Sequence, residues 1–321
     1  MTQSPSRSVL ISSLVSWSQL IRLPNLATAV ADPLAGILIV GGFGRYSNIP
    51  MVGWLAIASS VCLYAGGMVQ NDVVDFEIDQ RERPLRPLPS GRVPREAAGF
   101  VANMLLGLGV TLACVASAYM NNLAPACLGV TLAAAICCYN CYAKGTRWGA
   151  LVMGGCRSLN WSLGMVVAGS SSMPLWMIPC GIGVYVGGIT LFAHDEVSGG
   201  NRKKLIFGAF IMLLGLVLAG LSPLFVMKIK QSEFPIWLTE GRLITWYALW
   251  VVLGFYILAR CGQAIVNPVP HRMQAAVGNA IMSIITLDAV MVLAFRGEQW
   301  AVIVLSLLVW FVFGRRVAAV T

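Results

Sequence analysis

The sequence predicts an all-α, polytopic membrane helical bundle, and three observations carry that expectation. First, of 321 residues 58% are apolar and only 11% charged, against a charged share of about 25% in soluble proteins. Mean hydropathy is +0.77. Second, the apolar residues fall into ten runs, at roughly 26 to 43, 52 to 70, 97 to 119, 123 to 142, 148 to 168, 174 to 193, 205 to 227, 243 to 261, 275 to 295 and 298 to 314. Each is near the ~20 residues that a helical span needs. The last is the shortest, so about nine or ten transmembrane helices are expected. Third, nearly all the cations lie between the runs or at their ends rather than within them. Disordered and disulfide-scaffold classes are excluded by this composition, and 22 basic with 13 acidic side chains cannot cover a soluble enzyme of this length.

Numbering the loops alternately tests the topology. With a cytoplasmic N-terminus, that side receives sixteen cations: Arg7, Arg22, Arg81, Arg83, Arg86, Arg92, Arg95, Lys144, Arg147, Arg202, Lys203, Lys204, Arg260, Arg272, Arg315 and Arg316. The other side receives five, namely Arg45, Lys228, Lys230, Arg242 and Arg296, and Arg157 stays inside the fifth run. Cytoplasmic loops collect Lys and Arg, so the net charge of +9 reports topology. A nucleic-acid binder would gather its cations into one stripe or arm, and no nucleic-acid partner is expected. The partner is the lipid bilayer, with a bacterial inner membrane as the expected location.

Taken in order, the chain reads as one domain over residues 1–321. Residues 1–24 form an interfacial segment: the stretch 9–23 is apolar but broken by Ser12, Ser13, Ser16, Ser18 and Gln19, and no small-residue cleavage pattern follows it. Asp32 lies in the first run, Arg157 and Asn160 stand at i and i+3 in the fifth, and Asp288 lies in the ninth. A charge at a helix centre costs roughly 2.5 to 3.5 kcal/mol on insertion scales, so it faces a partner or a cavity. Two readings are open. Arg157 and Asp32 form a buried pair, or Arg157 and Asn160 hold a substrate. The 9 cysteines fall in apolar runs, where thiols behave as small hydrophobes; the cluster Cys137, Cys138, Cys141 lacks a fourth metal ligand. Trp54, Trp148, Trp176 and Trp300 lie near span ends, where an aromatic belt puts them.

The informative acids follow the second run. The chain reads Asn71-Asp72-Val73-Val74-Asp75-Phe76-Glu77-Ile78-Asp79, then Arg86-Pro87-Leu88-Pro89-Ser90-Gly91. If the helix continues, Asp72, Asp75 and Asp79 share one face and three carboxylates converge. Like charges repel unless a cation sits among them. Oxygen ligands without His or Cys suit magnesium, which takes one or two carboxylates plus substrate phosphates. The competing reading is a solvated helix end whose acids pair with Arg81, Arg83 and Arg86. A guanidinium fixed beside the acids by the Pro-rich turn favours a diphosphate site.

These residues resemble the first aspartate-rich motif of the UbiA superfamily of intramembrane prenyltransferases. Arg22-Leu23-Pro24-Asn25 with Asp32 and Gly36 is similar to that superfamily's first helix, and so are the stretch from Tyr139 to Lys144 and Gly145 and the helix carrying Gly154, Gly155, Cys156, Arg157, Asn160 and Gly164. In the superfamily a second DxxxD-type cluster follows the sixth span. Here that place reads His194-Asp195-Glu196-Val197-Ser198-Gly199-Gly200-Asn201-Arg202, with Gly199 where an Asp is expected. The Glu-Val-x-Gly-Gly form and the Gly66-Gly67 pair resemble the EboC-type branch.

The resemblance implies helices around a central cavity, capped on the cytoplasmic side by the two acidic segments. It implies a magnesium-dependent prenyltransferase that takes a prenyl diphosphate donor and a small lipophilic acceptor, aromatic or quinone-precursor. Asp72, Asp75, Asp79, Asp195 and Glu196 would hold magnesium, with Asp75 and Asp195 as the catalytic acids. Asn25, Asn71, Arg86, Lys144, Arg157, Asn160 and Arg202 would bind substrate. His194 beside Asp195 reads as a surface residue before it reads as a base. The alternative class is a UbiA-like protein that carries a lipophilic metabolite without turnover. A phosphotransferase acting on a CDP-linked lipid is disfavoured, since its DG-x-x-AR signature is missing.

Overall fold

The computed structural model describes residues 7–41, 49–169, 173–194, 201–229, 238 and 241–319. Among the described residues every regular element is helical. An N-terminal helix α1 (Arg7–Leu20) leads through a 3-10 turn, Leu23–Asn25, into α2 (Leu26–Val40). There follow α3 (Met51–Val74), the short α4 (Phe76–Glu82), α5 (Arg95–Met120), α6 (Ala124–Cys138) with a π-helical turn at Tyr139–Ala143, and α7 (Gly149–Val167). The second half comprises α8 (Met177–Ala193), α9 (Arg202–Ile229), α10 (Leu243–Val266), α11 (Pro270–Arg296) and α12 (Glu298–Ala319).

The ten runs expected from the sequence are all present as helices. Among the described residues nine helical segments are long and apolar enough to cross a membrane. The tenth, α7, carries Arg157 and Asn160 and packs between α2, α6 and α8. Proline sets several starts: Pro50 and Pro94 precede α3 and α5, and Pro270 opens α11, where a missing N–H costs nothing. Asn121 caps α5 in the left-handed region, its N–H bonded to the carbonyls of Ser117 and Ala118.

The most enclosed of the nine spans begins at Leu23 and includes α2, which packs on α3, α7, α11 and α12. A Cβ at Gly36 would lie 2.9 Å from the Trp161 carbonyl oxygen and from the Met165 amide nitrogen, so α2 and α7 touch backbone to backbone. Small residues serve the same purpose between α8 and α9, where Gly181 and Gly188 face Gly215 and Gly208. Lipid offers no hydrophobic drive between helices, so close van der Waals contact holds such pairs. The outer helices α5 and α10 instead expose Phe100, Met104, Val251 and Phe255, a surface fit for acyl chains.

Helices α7 and α8 run antiparallel. Gly154 faces Gly183, and Ala150 faces Gly187. The C-terminal end of α8, at Ala193, therefore lies at the same end of the bundle as the start of α7 and as Lys144 just before it.

Candidate functional site

The site forms where α3 ends. Backbone bonding carries on past that end, Asp75 N–H to Asn71 O at 3.0 Å and Asp79 N–H to Asp75 O at 2.9 Å, so Asp72, Asp75 and Asp79 remain on successive turns. The Arg86 turn is tied down next to them. Ser90 N–H bonds Arg86 O, Val93 N–H bonds Pro87 O, and the Arg92 guanidinium donates to Leu85 O at 2.7 Å. Gly91 takes φ 72, a left-handed value that glycine adopts without Cβ strain. Leu88 and Val93 are buried against Leu20 of α1 and Ala98 and Ala102 of α5, and the Arg95 guanidinium lies 4.8 Å from the centre of the Phe76 ring. Apolar anchoring thus fixes the direction of Arg86.

One nitrogen of Arg86 lies 2.6 Å from Asp79 Oδ2 and 3.6 Å from Asp72 Oδ1, and an Arg22 nitrogen lies 3.7 Å from the same Asp72 oxygen. Lys144 is ion-paired with Asp75 and donates to Asn71 Oδ1 at 2.9 Å. The amide of Asn71 donates to Asp75 Oδ2 at 3.2 Å. The three carboxylates therefore do not meet at one point, as the helical spacing suggested. Each is matched with a cation from another segment, because a guanidinium and an ammonium reach in between them. Among the described residues no group of three His, Cys, Asp or Glu side chains is placed to share a metal ion.

The metal fit is with a smaller donor set. Asn71 Oδ1 and Asp75 Oδ2 both bind the Lys144 ammonium, so two hard oxygens already converge on a cation. Magnesium uses one or two protein oxygens and completes its shell with water and phosphate, and this pair suits it.

The π-turn aims Lys144. The Lys144 N–H bonds Tyr139 O at 2.9 Å, a five-residue step, and Asn140 donates to Gly67 O and Gln70 Oε1, both at 2.9 Å. These bonds dock the end of α6 on α3. Gly145, at φ 78, then turns the chain towards α7. An open recess of about 530 Å³ adjoins the cluster, lined among others by Gln19, Arg22, Asp72, Arg83 and Arg86.

Not every expected residue meets the cluster. Arg157 Nε lies 2.7 Å from Asp32 Oδ2, and Arg157 also donates to Thr28 Oγ1 and Thr28 O at 3.2 Å. Asn160 donates to Asp32 Oδ2 at 2.9 Å and accepts from Ser60 Oγ at 2.5 Å. These contacts form the buried pair, the first of the two open readings. Arg202 donates to Val266 O at 2.8 Å, joining α9 to the end of α10. Asn25 is half-buried, and its carbonyl accepts from Thr28 Oγ1 at 2.8 Å. Asp195 and Glu196 lie outside the described residues. Sequence reasoning passed over Arg22 as a site residue; the signal was its place before a Leu-Pro-Asn turn, where its backbone is left-handed at φ 50.

Residues 34–284 match the family described as UbiA prenyltransferase family. A digeranylgeranylglyceryl phosphate synthase from Ignicoccus hospitalis is 37% identical over 99 residues, 31% of this chain and 31% of that protein. The same-named protein of Methanococcus maripaludis is 24% identical over 229 residues, 65% of this chain and 77% of that one. The alignment with the first of these spans 31% of its length. Among solved structures, one described as digeranylgeranylglyceryl phosphate synthase in membranes has a TM-score of 0.63 at 22% identity, over 89% of this chain and 99% of that chain. A UbiA homologue from Archaeoglobus fulgidus bound to DMAPP and Mg2+ has a TM-score of 0.60 at 13% identity, over 95% and 100%. At these identities the structural likeness speaks for the fold, and the family match covers most of the chain. By that family match the chain belongs to the UbiA prenyltransferase family.

Proposed function

We propose that this chain is a magnesium-dependent intramembrane prenyltransferase, moving a prenyl group from a prenyl diphosphate to a small lipophilic acceptor. The carrying observation is the Lys144 ammonium held between Asn71 and Asp75 beside the Arg22 and Arg86 guanidinia on Asp72. Such a mouth offers both oxygens for a metal and cations for phosphate oxygens. The relatives' names and the DMAPP- and Mg2+-bound homologue support the same donor class.

In this reading Asn71 and Asp75 would hold the metal by their oxygens, and Lys144 would bind a diphosphate oxygen. Magnesium, when bound there, supplies charge neutralisation of the leaving diphosphate. Arg22 and Arg86 share that load as fixed donors. The allylic carbon–oxygen bond breaks with its electron pair on the diphosphate, and the helix walls keep water from the allylic carbon. The acceptor's electron pair forms the new bond and its proton leaves to solvent. By their place in the second acidic motif, Asp195 and Glu196 would add carboxylates to the metal. Support comes from the position of α8, which ends on the Lys144 side of the bundle.

The acceptor class expected from the sequence is an aromatic or quinone-precursor ring, and the branch expected from it is EboC-type. The relatives found carry a glyceryl phosphate name instead, so both acceptor classes enter the test. The charge bias puts the acidic mouth on the cytoplasmic face; the bacterial inner membrane is our proposed location, although the named relatives are archaeal. The test uses detergent-purified protein with magnesium, a panel of prenyl diphosphates and either an aromatic or a glyceryl phosphate acceptor. Diphosphate release that falls sharply in Asp75→Asn at limiting magnesium is expected. Donor binding without release from any donor supports the carrier reading that the departed second motif suggests.

A further inference from the structure

The cation collar includes Arg22, whose backbone is left-handed at φ 50 and ψ 56. A non-glycine residue persists in that region only where its surroundings over-determine it. On one side the turn is held by its own bonds, Arg22 N–H to Gln19 O at 3.1 Å and Asn25 N–H to Arg22 O at 2.8 Å. On the other side stands the C-terminal helix α12, which packs on Leu23–Asn25, on α1 and on α2. The contact is closest at Gly314. A Cβ there would lie 2.9 Å from Pro24 Cα and 3.1 Å from Pro24 N. Both are backbone atoms, so they yield only if the turn itself moves. Pro24 is buried, and Arg22 is two residues away. Helix α12 also lies beyond the family match, which ends at residue 284.

We propose that Gly314 is a positioning residue for the diphosphate site: by admitting the Leu23–Asn25 turn against α12 it holds Arg22 on Asp72. The C-terminal helix is then the wall that sets the reach of the Arg22 guanidinium. This rests on the reading of the mouth as the site of a prenyl diphosphate. A side chain at 314 pushes Pro24 away, and the 3.7 Å approach of Arg22 to Asp72 is lost.

The test measures the affinity of the full-length protein for inorganic diphosphate with magnesium by titration calorimetry, and the KM and kcat for the donor. Gly314→Ala is expected to weaken diphosphate binding about fivefold to tenfold, with KM rising in step and kcat within about twofold. Arg22→Gln is expected to show the same loss, and the double variant no more than Arg22→Gln alone, because residues acting through one another are not additive. Gly107→Ala, at a position with open space around it, should match wild type. Unchanged affinity in Gly314→Ala, or its full effect added on top of Arg22→Gln, overturns the proposal. Should Gly314→Ala not fold, unchanged affinity in Arg22→Gln alone overturns it. Wild type that binds no diphosphate overturns the prenyltransferase reading first, and this inference with it.

Discussion

Arg157 Nε lies 2.7 Å from Asp32 Oδ2 at a point where Asp32 has no exposed surface. Breaking such a pair from one side leaves a buried charge uncompensated, which costs about 3–5 kcal/mol. Asp32→Asn is therefore expected to lower thermal stability in detergent sharply, and Asp32→Asn with Arg157→Met to recover much of it. A double variant as unstable as the single one would show that the pair matters by its shape and not by its charge.

Trp161 is fully buried and its indole N–H donates to Asp288 Oδ1 at 3.0 Å. Trp161→Phe keeps most of the ring and removes the donor. The expected loss is about 1–3 kcal/mol, the cost of one unsatisfied buried acceptor, read as a shift of the unfolding midpoint.

Lys144 is a point charge aimed by a π-turn. Lys144→Met should reduce kcat/KM for diphosphate release by about a hundredfold, as loss of one preorganised donor does. Lys144→Arg should restore little, since a planar fork does not fit between Asn71 and Asp75 as an ammonium does. Full activity in Lys144→Met would remove this residue from the leaving-group site.

Metal dependence gives a separate check. Chelation should stop diphosphate release and added magnesium restore it. Asp75→Asn should raise the magnesium needed for half-maximal rate more than Asp79→Asn does, because Asp79 is engaged by Arg86. Glu196→Gln asks whether Glu196 replaces the Asp that Gly199 displaces; a rate lowered about tenfold at limiting magnesium is the expected result, and an unchanged rate would take Glu196 out of the metal site.

Hydropathy made the ten helices legible, because a bilayer imposes span lengths that the sequence must meet residue by residue. The first acidic segment and the Arg86 turn were legible for a related reason, since proline, glycine and acids at fixed offsets leave few backbone paths. The partners of those acids were not. Arg22 and Lys144 reach Asp72 and Asp75 from segments far away in the chain, and only the packing of α1, α6 and α12 brings them in. Nor does spacing show that Arg86 lies between Asp72 and Asp79, which turns a supposed carboxylate triad into a chain of ion pairs. The charges within the spans were recognisable as costly, and the pairing of Arg157 with Asp32 is seen only across the α2–α7 contact.

The alternating ion pairs at the mouth also set an order of exchange. With Lys144 on Asp75 and Arg86 on Asp79, a bare divalent ion would have to evict a cation and strand it, while a bare diphosphate would strand an acid. A diphosphate arriving already complexed with its metal lets every partner swap at once. On the proposed function neither component should bind well alone, and each should sharpen the other, so that the resting protein holds its charges in reserve until the whole ligand is present.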